Sequence, residues 1–458
     1  MKAAQTSDAS VQQLLADAAA RARRYLSALP DRAVAPTATS VEALSRLGGA
    51  LPESPRDASV VLAQLDEMVS PATMAMAGPR FFGFVIGGSL PVTVAANWLA
   101  TAWDQNACLD AVTPGVAHIE QLALDWLLEV LHLPAGCAGA FVTGATVANM
   151  TALAAARHRV LANAGWNVEA DGLFGAPPIT VLVSQEVHPT VLKGLGVLGL
   201  GRNRVTRVPV DAQGRMRPDA MPVISGPTIL ILQAGNLNTG AFDPCDRIIA
   251  QAKAAGAWVH VDGAFGIWAR ATRDRSSLAT GCELADSWAT DGHKWLNVPY
   301  DSGIAFVRDA DALRAAMAVT AEYLPTSSPR RNPGDYTPEL SRRARGVDVW
   351  AALATLGRSG VADMIEGCCR HARRFAEGLS AAGFEVLNDV VLNQVLVSFG
   401  TPERTREVIA AIQQDGTCWC GSTIWQGRTA MRISVCSWAT RDEDVEKSLA
   451  AMIRLARG

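Results

Sequence analysis

The chain has 458 residues, 49% of them hydrophobic and 19% charged, which sets a prior of about three domain-sized units around a large buried core. Its 41 basic and 44 acidic side chains leave a formal net charge of −3, which argues against nucleic acid or an anionic membrane as a partner. Nine cysteines without a Cys-x-x-Cys pair and an N-terminus without an apolar signal segment argue against disulfides or a metal centre and for reduced thiols in a cytoplasmic protein.

Residues 8–29 read as an amphipathic helix, set off by Pro- and Ser-rich stretches near 30–56. Phe81 to Trp103 carries no charge and is long enough to span a bilayer. However, Gly83, Gly87, Gly88, Pro91 and Asn97 break it into a loop and a short helix of the core. Thr113-Pro114 has the N-cap and first-turn signature of a helix running through Leu131. Phe141-Val-Thr-Gly-Ala-Thr146 reads as a strand, a glycine-bearing turn and the start of a helix over 147–161. Free N–H groups and the Thr146 hydroxyl at that start make a phosphate cup, although any strand-to-helix turn looks similar. No Gly-x-Gly-x-x-Gly and no Walker lysine pattern supports nucleotide binding.

Short apolar runs then alternate with helices. Candidate strands are Ile179–Val183, Thr228–Leu232, Trp258–Val261 and Gly303–Val307, and the alternation argues for a largely parallel sheet wrapped by helices. His188 follows the first of these and opens an apolar helix over 189–198. Its planar ring could stack on a cofactor or serve as a hydrogen-bonded scaffold. The strand before His260-Val-Asp-Gly-Ala-Phe265 ends in Asp262. A buried carboxylate must meet a cation or strong donors, unless it only caps the loop after its strand.

Thirty-two residues beyond Asp262 lies Lys294, between His293 and Trp295, in the run Asp291-Gly-His-Lys-Trp-Leu-Asn-Val-Pro-Tyr-Asp-Ser-Gly303. A lysine among apolar groups loses hydration of its ammonium, which favours the neutral, nucleophilic amine. Such an amine forms Schiff bases with carbonyls, including the aldehyde of pyridoxal 5'-phosphate. Asp262 would then hold the proton on the cofactor's pyridine nitrogen and keep the ring an electron sink. The bland alternative for Lys294 is a surface lysine snorkelling beside a tryptophan.

A polar segment follows, Thr326-Ser-Ser-Pro-Arg-Arg-Asn-Pro-Gly-Asp335, a candidate mobile loop or a plain linker. Helices near 344–357 and 361–382 lead to strands at Phe384–Leu387, Gln394–Phe399 and Met431–Val435. Thr440-Arg-Asp-Glu443 matches a capping box opening a final helix. This part reads as a small α+β domain.

These residues resemble the group II pyridoxal-phosphate-dependent decarboxylases of fold type I, a family that includes aromatic-L-amino-acid, glutamate and histidine decarboxylases. The likeness rests on Phe81-Phe-Gly-Phe84, Thr113-Pro-Gly115, Ile119-Glu120 through Asp125-Trp126-Leu127, Gly144-Ala-Thr-Val-Ala-Asn149 and His188. It continues through Asn238-Thr-Gly-Ala-Phe-Asp243, His260-Val-Asp-Gly-Ala264, Ala285-Asp-Ser287, His293-Lys294-Trp295 and Arg342-Arg343. The resemblance implies an α/β fold. An N-terminal arm, 1–75, would pack across a partner in a homodimer. A large cofactor-binding domain of 76–318, a mobile loop of 319–340 and a small C-terminal domain of 341–458 would follow.

It further implies that Lys294 holds the cofactor and His188 stacks on its ring, with Ala145, Thr146 and His293 near the phosphate and Ala264 beside Asp262. Phe81, Phe82, Phe84 and Trp103 would line a pocket for an amino-acid substrate. Arg432 would contact a carboxylate or form a structural ion pair. A loop tyrosine would protonate the reacting carbon. Tyr323 and Tyr336 bracket the polar segment, and Tyr336 is the preferred donor, its alternative being simple packing near Arg342-Arg343.

Three departures stand out. Asn236-Leu237 replaces a common Thr-Thr, Val147 sits where an acid is common, and Asp291 sits where several members carry asparagine. A carboxylate near phosphate is repelled, so Asp291 is expected to point away or to cap a neighbouring backbone. The expected reaction is decarboxylation of an L-amino acid. Aldehyde-forming oxidative decarboxylation, another carbon–carbon lyase reaction and transamination are the alternatives, with a non-catalytic homologue further off.

Overall fold

The computed structural model describes residues 8–319 and 330–458. Its frame is a seven-stranded sheet of β1 (Ala138–Val142), β2 (Thr180–Ser184), β3 (Val205–Val208), β4 (Thr228–Gln233), β5 (Trp258–Asp262), β6 (Ser287–Asp291) and β7 (Gly303–Val307). The order is β1-β7-β6-β5-β4-β2-β3. β7 runs against both its neighbours, and every other pair is parallel. The sequence favours this because runs such as Thr228-Ile-Leu-Ile-Leu-Gln233 are apolar throughout, as strands covered on both faces must be. Leu182, Leu230, Leu232, Val259 and Val261 face the helices Pro114–Val130, Cys245–Ala254 and Gly346–Ala381. Val181, Val183, Ile229 and Ile231 face the helices Ala145–Ala162 and Pro189–Val197 on the opposite side.

A second sheet is antiparallel, in the order β10-β11-β9-β8, with β8 Glu385–Val386, β9 Gln394–Ser398, β10 Gly421–Trp425 and β11 Arg428–Ser434. Together the two sheets and their helices make a fold type I α/β architecture. Three strands escape the sequence pattern. β6, Ser-Trp-Ala-Thr-Asp, is buried along its whole length despite three polar residues. β3 and β10 are largely uncovered by side-chain packing and carry little apolar signal.

The two helices expected near 344–357 and 361–382 are both present, as two segments of Gly346–Ala381 that meet in a kink at Gly357, whose φ of 59° suits glycine. Local capping differs in detail from expectation. Thr113 holds the N-cap position with Pro114 in the first turn, as expected, but its side chain makes no capping bond; its hydroxyl is shared between Asn106 O and Leu109 O. Thr440 is not a cap. Its hydroxyl donates to Pro79 O, while the Asp444 carboxylate accepts the Arg441 N–H at the start of Asp442–Arg457. Phe81–Trp103 is a loop followed by the helix Pro91–Trp103, and no helix among the described residues is long and apolar enough to cross a membrane.

Candidate active site

Strand register brings the site together. Gly303 at the start of β7 pairs with Val142 on one side and Asp291 on the other, so β1 and β6 end flush. The chain leaving β1 turns at Gly144 directly over Gly303. A Cβ on Gly303 would lie 2.4 Å from the Gly144 backbone, so only glycine permits this approach. The helix Ala145–Ala162 therefore starts beside Asp291. The Asp291 Oδ1 accepts the Ala145 N–H at 2.6 Å, its Oδ2 lies 2.9 Å from Lys294 Nζ, and His293 Nε2 is 3.5 Å from Oδ1. Burial lowers the pKa of His293, and its Nδ1 accepts the Ser302 N–H.

Lys294 follows β6 on a tight turn packed on Gly87, where a Cβ would come within 1.8 Å of Lys294 O. The lysine is thus not in the purely apolar setting its neighbours suggest. It is paired with the Asp291 carboxylate. Asp291 does cap a neighbouring backbone, as expected, but it faces into the site rather than away.

Asp262 ends β5 one strand over. The only hydrogen bond to its carboxylate among the described residues comes from the Ala264 N–H at 3.2 Å. Burial raises its pKa, opposed by the nearby His188 and Lys294. His188, at the start of the helix Pro189–Val197, is hydrogen-bonded through Nδ1 to the Thr190 hydroxyl at 2.6 Å, and burial lowers its pKa. Arg432 on β11 reaches back from the second sheet and donates to Leu237 O at 3.0 Å; it has no carboxylate partner among the described residues. Lys294, Asp262, His188 and Arg432 all line one cavity of about 330 Å³. Its remaining walls are mainly apolar, with Phe84, Val85, Ile86, Leu237, Ala264 and Phe265.

Of the residues expected from sequence, Lys294, Asp262, His188, Ala264, Phe84 and Arg432 border this cavity. Ala145 and His293 join it through Asp291, with Thr146 next in the same helix turn. Others do not reach it. Phe81 is buried and stacks on Trp419, Phe82 packs edge-on against Phe375, and Trp103 is exposed at the end of its helix. Tyr336 lies under the Arg331 guanidinium, packed on Ala140, Val142 and Ala148 along the helix side of the sheet. Tyr323 lies outside the described residues.

Tyr300 is the residue that sequence reasoning passed over. It lines the cavity, stacks on His293 with ring centroids 4.2 Å apart, and makes no hydrogen bond among the described residues. The residue is half-exposed, yet partial burial, then Asp291 and Cys436, push its pKa up to about 12. The signal was its place six residues after Lys294, inside the same motif. Phe84 adopts a φ of 53°, uncommon for an aromatic residue, and stacks on Trp419. Strain of this kind clusters at ligand-contacting sites.

These residues fit pyridoxal phosphate. A buried carboxylate with a single backbone donor awaits a cation, an amine lies across the cavity from it, and a helix amino end lies beyond the amine. Comparison with known proteins agrees. The pyridoxal-dependent decarboxylase conserved domain matches residues 42–400. An aromatic-L-amino-acid decarboxylase of Bacillus atrophaeus is 28% identical over 345 residues, covering 73% of this chain and 70% of the relative. A phenylacetaldehyde synthase of Arabidopsis thaliana is 23% identical over 426 residues, covering 87% and 86%. The crystal structure of Oryza sativa TDC with PLP and tryptamine superposes with a TM-score of 0.91 at 23% identity, covering 99% of each chain.

Proposed function

We propose that this chain, which belongs to the pyridoxal-dependent decarboxylase family and so is a pyridoxal-phosphate-dependent carboxy-lyase, removes the α-carboxylate of an L-amino acid as carbon dioxide. The observation that carries the reading is the meeting of Lys294 and Asp262 on one cavity. When bound, pyridoxal phosphate supplies an electron sink for the bonding pair that the departing carbon dioxide leaves behind. Lys294 Nζ is the amine for the cofactor's carbonyl. Asp262 holds a proton on the pyridine nitrogen, because a buried carboxylate without a cation is costly. His188 offers its ring to the cofactor's face, and the first turn of Ala145–Ala162 offers N–H groups to the phosphate.

Arg432, a buried cation with no carboxylate partner among the described residues, suits the substrate's carboxylate. The apolar walls Phe84, Val85, Ile86, Leu237 and Phe265 favour an aromatic or aliphatic side chain, and the name of the Bacillus relative points toward the aromatic. We read the active form as a homodimer, since Leu65, Trp98, Leu99 and Trp103 leave apolar surface exposed near the amino-terminal helices. A fully active monomer in sedimentation would refute that.

A second reading is favoured by the phenylacetaldehyde synthase relative and by the packing of Tyr336 away from the cavity. In it, the substrate loses carbon dioxide and is oxidised by dioxygen, which is reduced to peroxide, and the products are an aldehyde and ammonia. One experiment separates them: a panel of L-amino acids, scored for carbon dioxide, amine, aldehyde, ammonia and peroxide. Amine with stoichiometric carbon dioxide supports decarboxylation; aldehyde, ammonia and peroxide support the second reading. Transamination without carbon dioxide would sink both.

A further inference from the structure

Asp291 sits where two parts of the cofactor would be held. Its Oδ1 takes the Ala145 N–H at 2.6 Å, and its Oδ2 pairs with Lys294 Nζ at 2.9 Å. The side chain is only 2% exposed, so water screens it little. The Ala145 N–H belongs to the helix turn that would cradle a phosphate. Lys294 Nζ is the amine a carbonyl would take. One carboxylate thus engages a contact for two neighbouring groups of the cofactor, its phosphate and its carbonyl.

Its surroundings leave little to offset a second anion. Among the described residues its ion-pair partners are Lys294 and His293, and His293, 3.5 Å away, loses basicity by burial. Tyr300 and Asp262 both feel its negative charge. Gly144 crosses beside it, with no side chain of its own to intervene. A phosphate brought to the Ala145 N–H meets a like charge already bonded there, and such pairs repel strongly when buried.

We propose that Asp291 is a built-in placeholder for the cofactor. It competes with phosphate for the helix amino end and with the carbonyl for Lys294, and so sets a weaker affinity for pyridoxal phosphate than the same site with a neutral residue. The inference rests on reading that helix end as the phosphate seat. Asp291→Asn keeps an oxygen that can accept the Ala145 N–H and replaces the oxygen that faces Lys294 with an amide NH2, which removes the charge and that ion pair.

The test uses the full-length protein stripped of cofactor by dialysis, with inorganic phosphate and pyridoxal phosphate each titrated by calorimetry. Asp291→Asn should tighten both by at least about tenfold. Its cofactor-free form should melt below the wild type, while the loaded forms converge. Unchanged or weaker binding overturns the placeholder role. Failure of the wild type to bind either probe overturns the seat itself. A second measurement needs no variant. Acylation of wild-type Lys294 by an amine-directed reagent, mapped by mass spectrometry, should rise severalfold when phosphate replaces chloride at equal ionic strength. No rise, or a fall, overturns the proposal.

Discussion

The side chains around the cavity divide by what holds each in place. Lys294 is fixed by a turn packed on Gly87, Asp262 by the end of a buried strand, and His188 by its own bond to Thr190. Asp262→Asn removes the charge and little else, so folding should persist while turnover falls by about 100-fold or more. Near-normal turnover, with circular dichroism unchanged, would make Asp262 structural only. Tyr300 stacks on His293 beside the cavity and makes no hydrogen bond among the described residues, which leaves its hydroxyl open to a ligand or to water. Tyr300→Phe should leave the melting temperature nearly unchanged. It should also lower kcat/KM more for aromatic substrates bearing a ring hydroxyl than for phenylalanine, by about tenfold or more. Equal losses on both would show that the hydroxyl does not meet the substrate's ring. The sequence pointed to Lys294 and Asp262 because each sits in a distinctive local run. It favoured Tyr336 of the two tyrosines bracketing the polar segment and passed over Tyr300, because position along a loop says nothing about which face of the sheet the loop covers.

At the level of elements, the site depends on two strands ending side by side. Gly303 pairs with both Val142 and Asp291 and lies under the Gly144 backbone. Gly303→Ala should therefore cost about 1–3 kcal/mol in denaturant unfolding. It should also weaken cofactor binding, because the helix amino end must shift away from Asp291. A variant with wild-type stability and cofactor affinity would show that the turn has slack to absorb the methyl. The helix Ala145–Ala162 shows how element and site are coupled. Its side chains are buried on nearly all sides, and Asn149 bonds His260 Nε2 at 2.7 Å, two residues from Asp262 on β5. Periodicity in the sequence located this helix but left its partners open, since a strand-to-helix turn looks alike with or without a ligand. β6 was missed for a related reason: Ser287 and Thr290 become buried only once β5 and β7 flank them.

For the molecule as a whole, acid stability carries a signature of the core beneath the site. His260 is fully buried between Asn149 and Ser287, and burial pushes its pKa down to about 3. The folded ring resists a proton that the unfolded chain accepts near the ordinary value of about 6.5. Its contribution is therefore complete above that value and is lost as pH falls toward 3, by about 1.4 kcal/mol per pH unit. Asp243 and Asp348, both pushed up to about 6 by burial, act in the opposite sense. Their contribution is present at low pH and is lost as pH rises from the unfolded carboxylate range through 6. The His260 effect is best isolated as the stability difference between wild type and His260→Gln, measured in denaturant from pH 7 to pH 4. That difference should shrink on acidification; a constant difference would mean the ring is protonated in place. The sequence by itself determined the continuous apolar strands, the helices between them and the order cup, histidine, aspartate, lysine, because burial patterns and turn chemistry act over a few residues. Only the tertiary structure decided that Asp291 bridges Lys294 to a helix start 146 residues away, that Arg432 reaches in from a second sheet, and that Tyr300 faces the cavity while Tyr336 does not. Those outcomes depend on strand register and sheet order, which set distances between residues remote in the chain and leave no trace in their local neighbours.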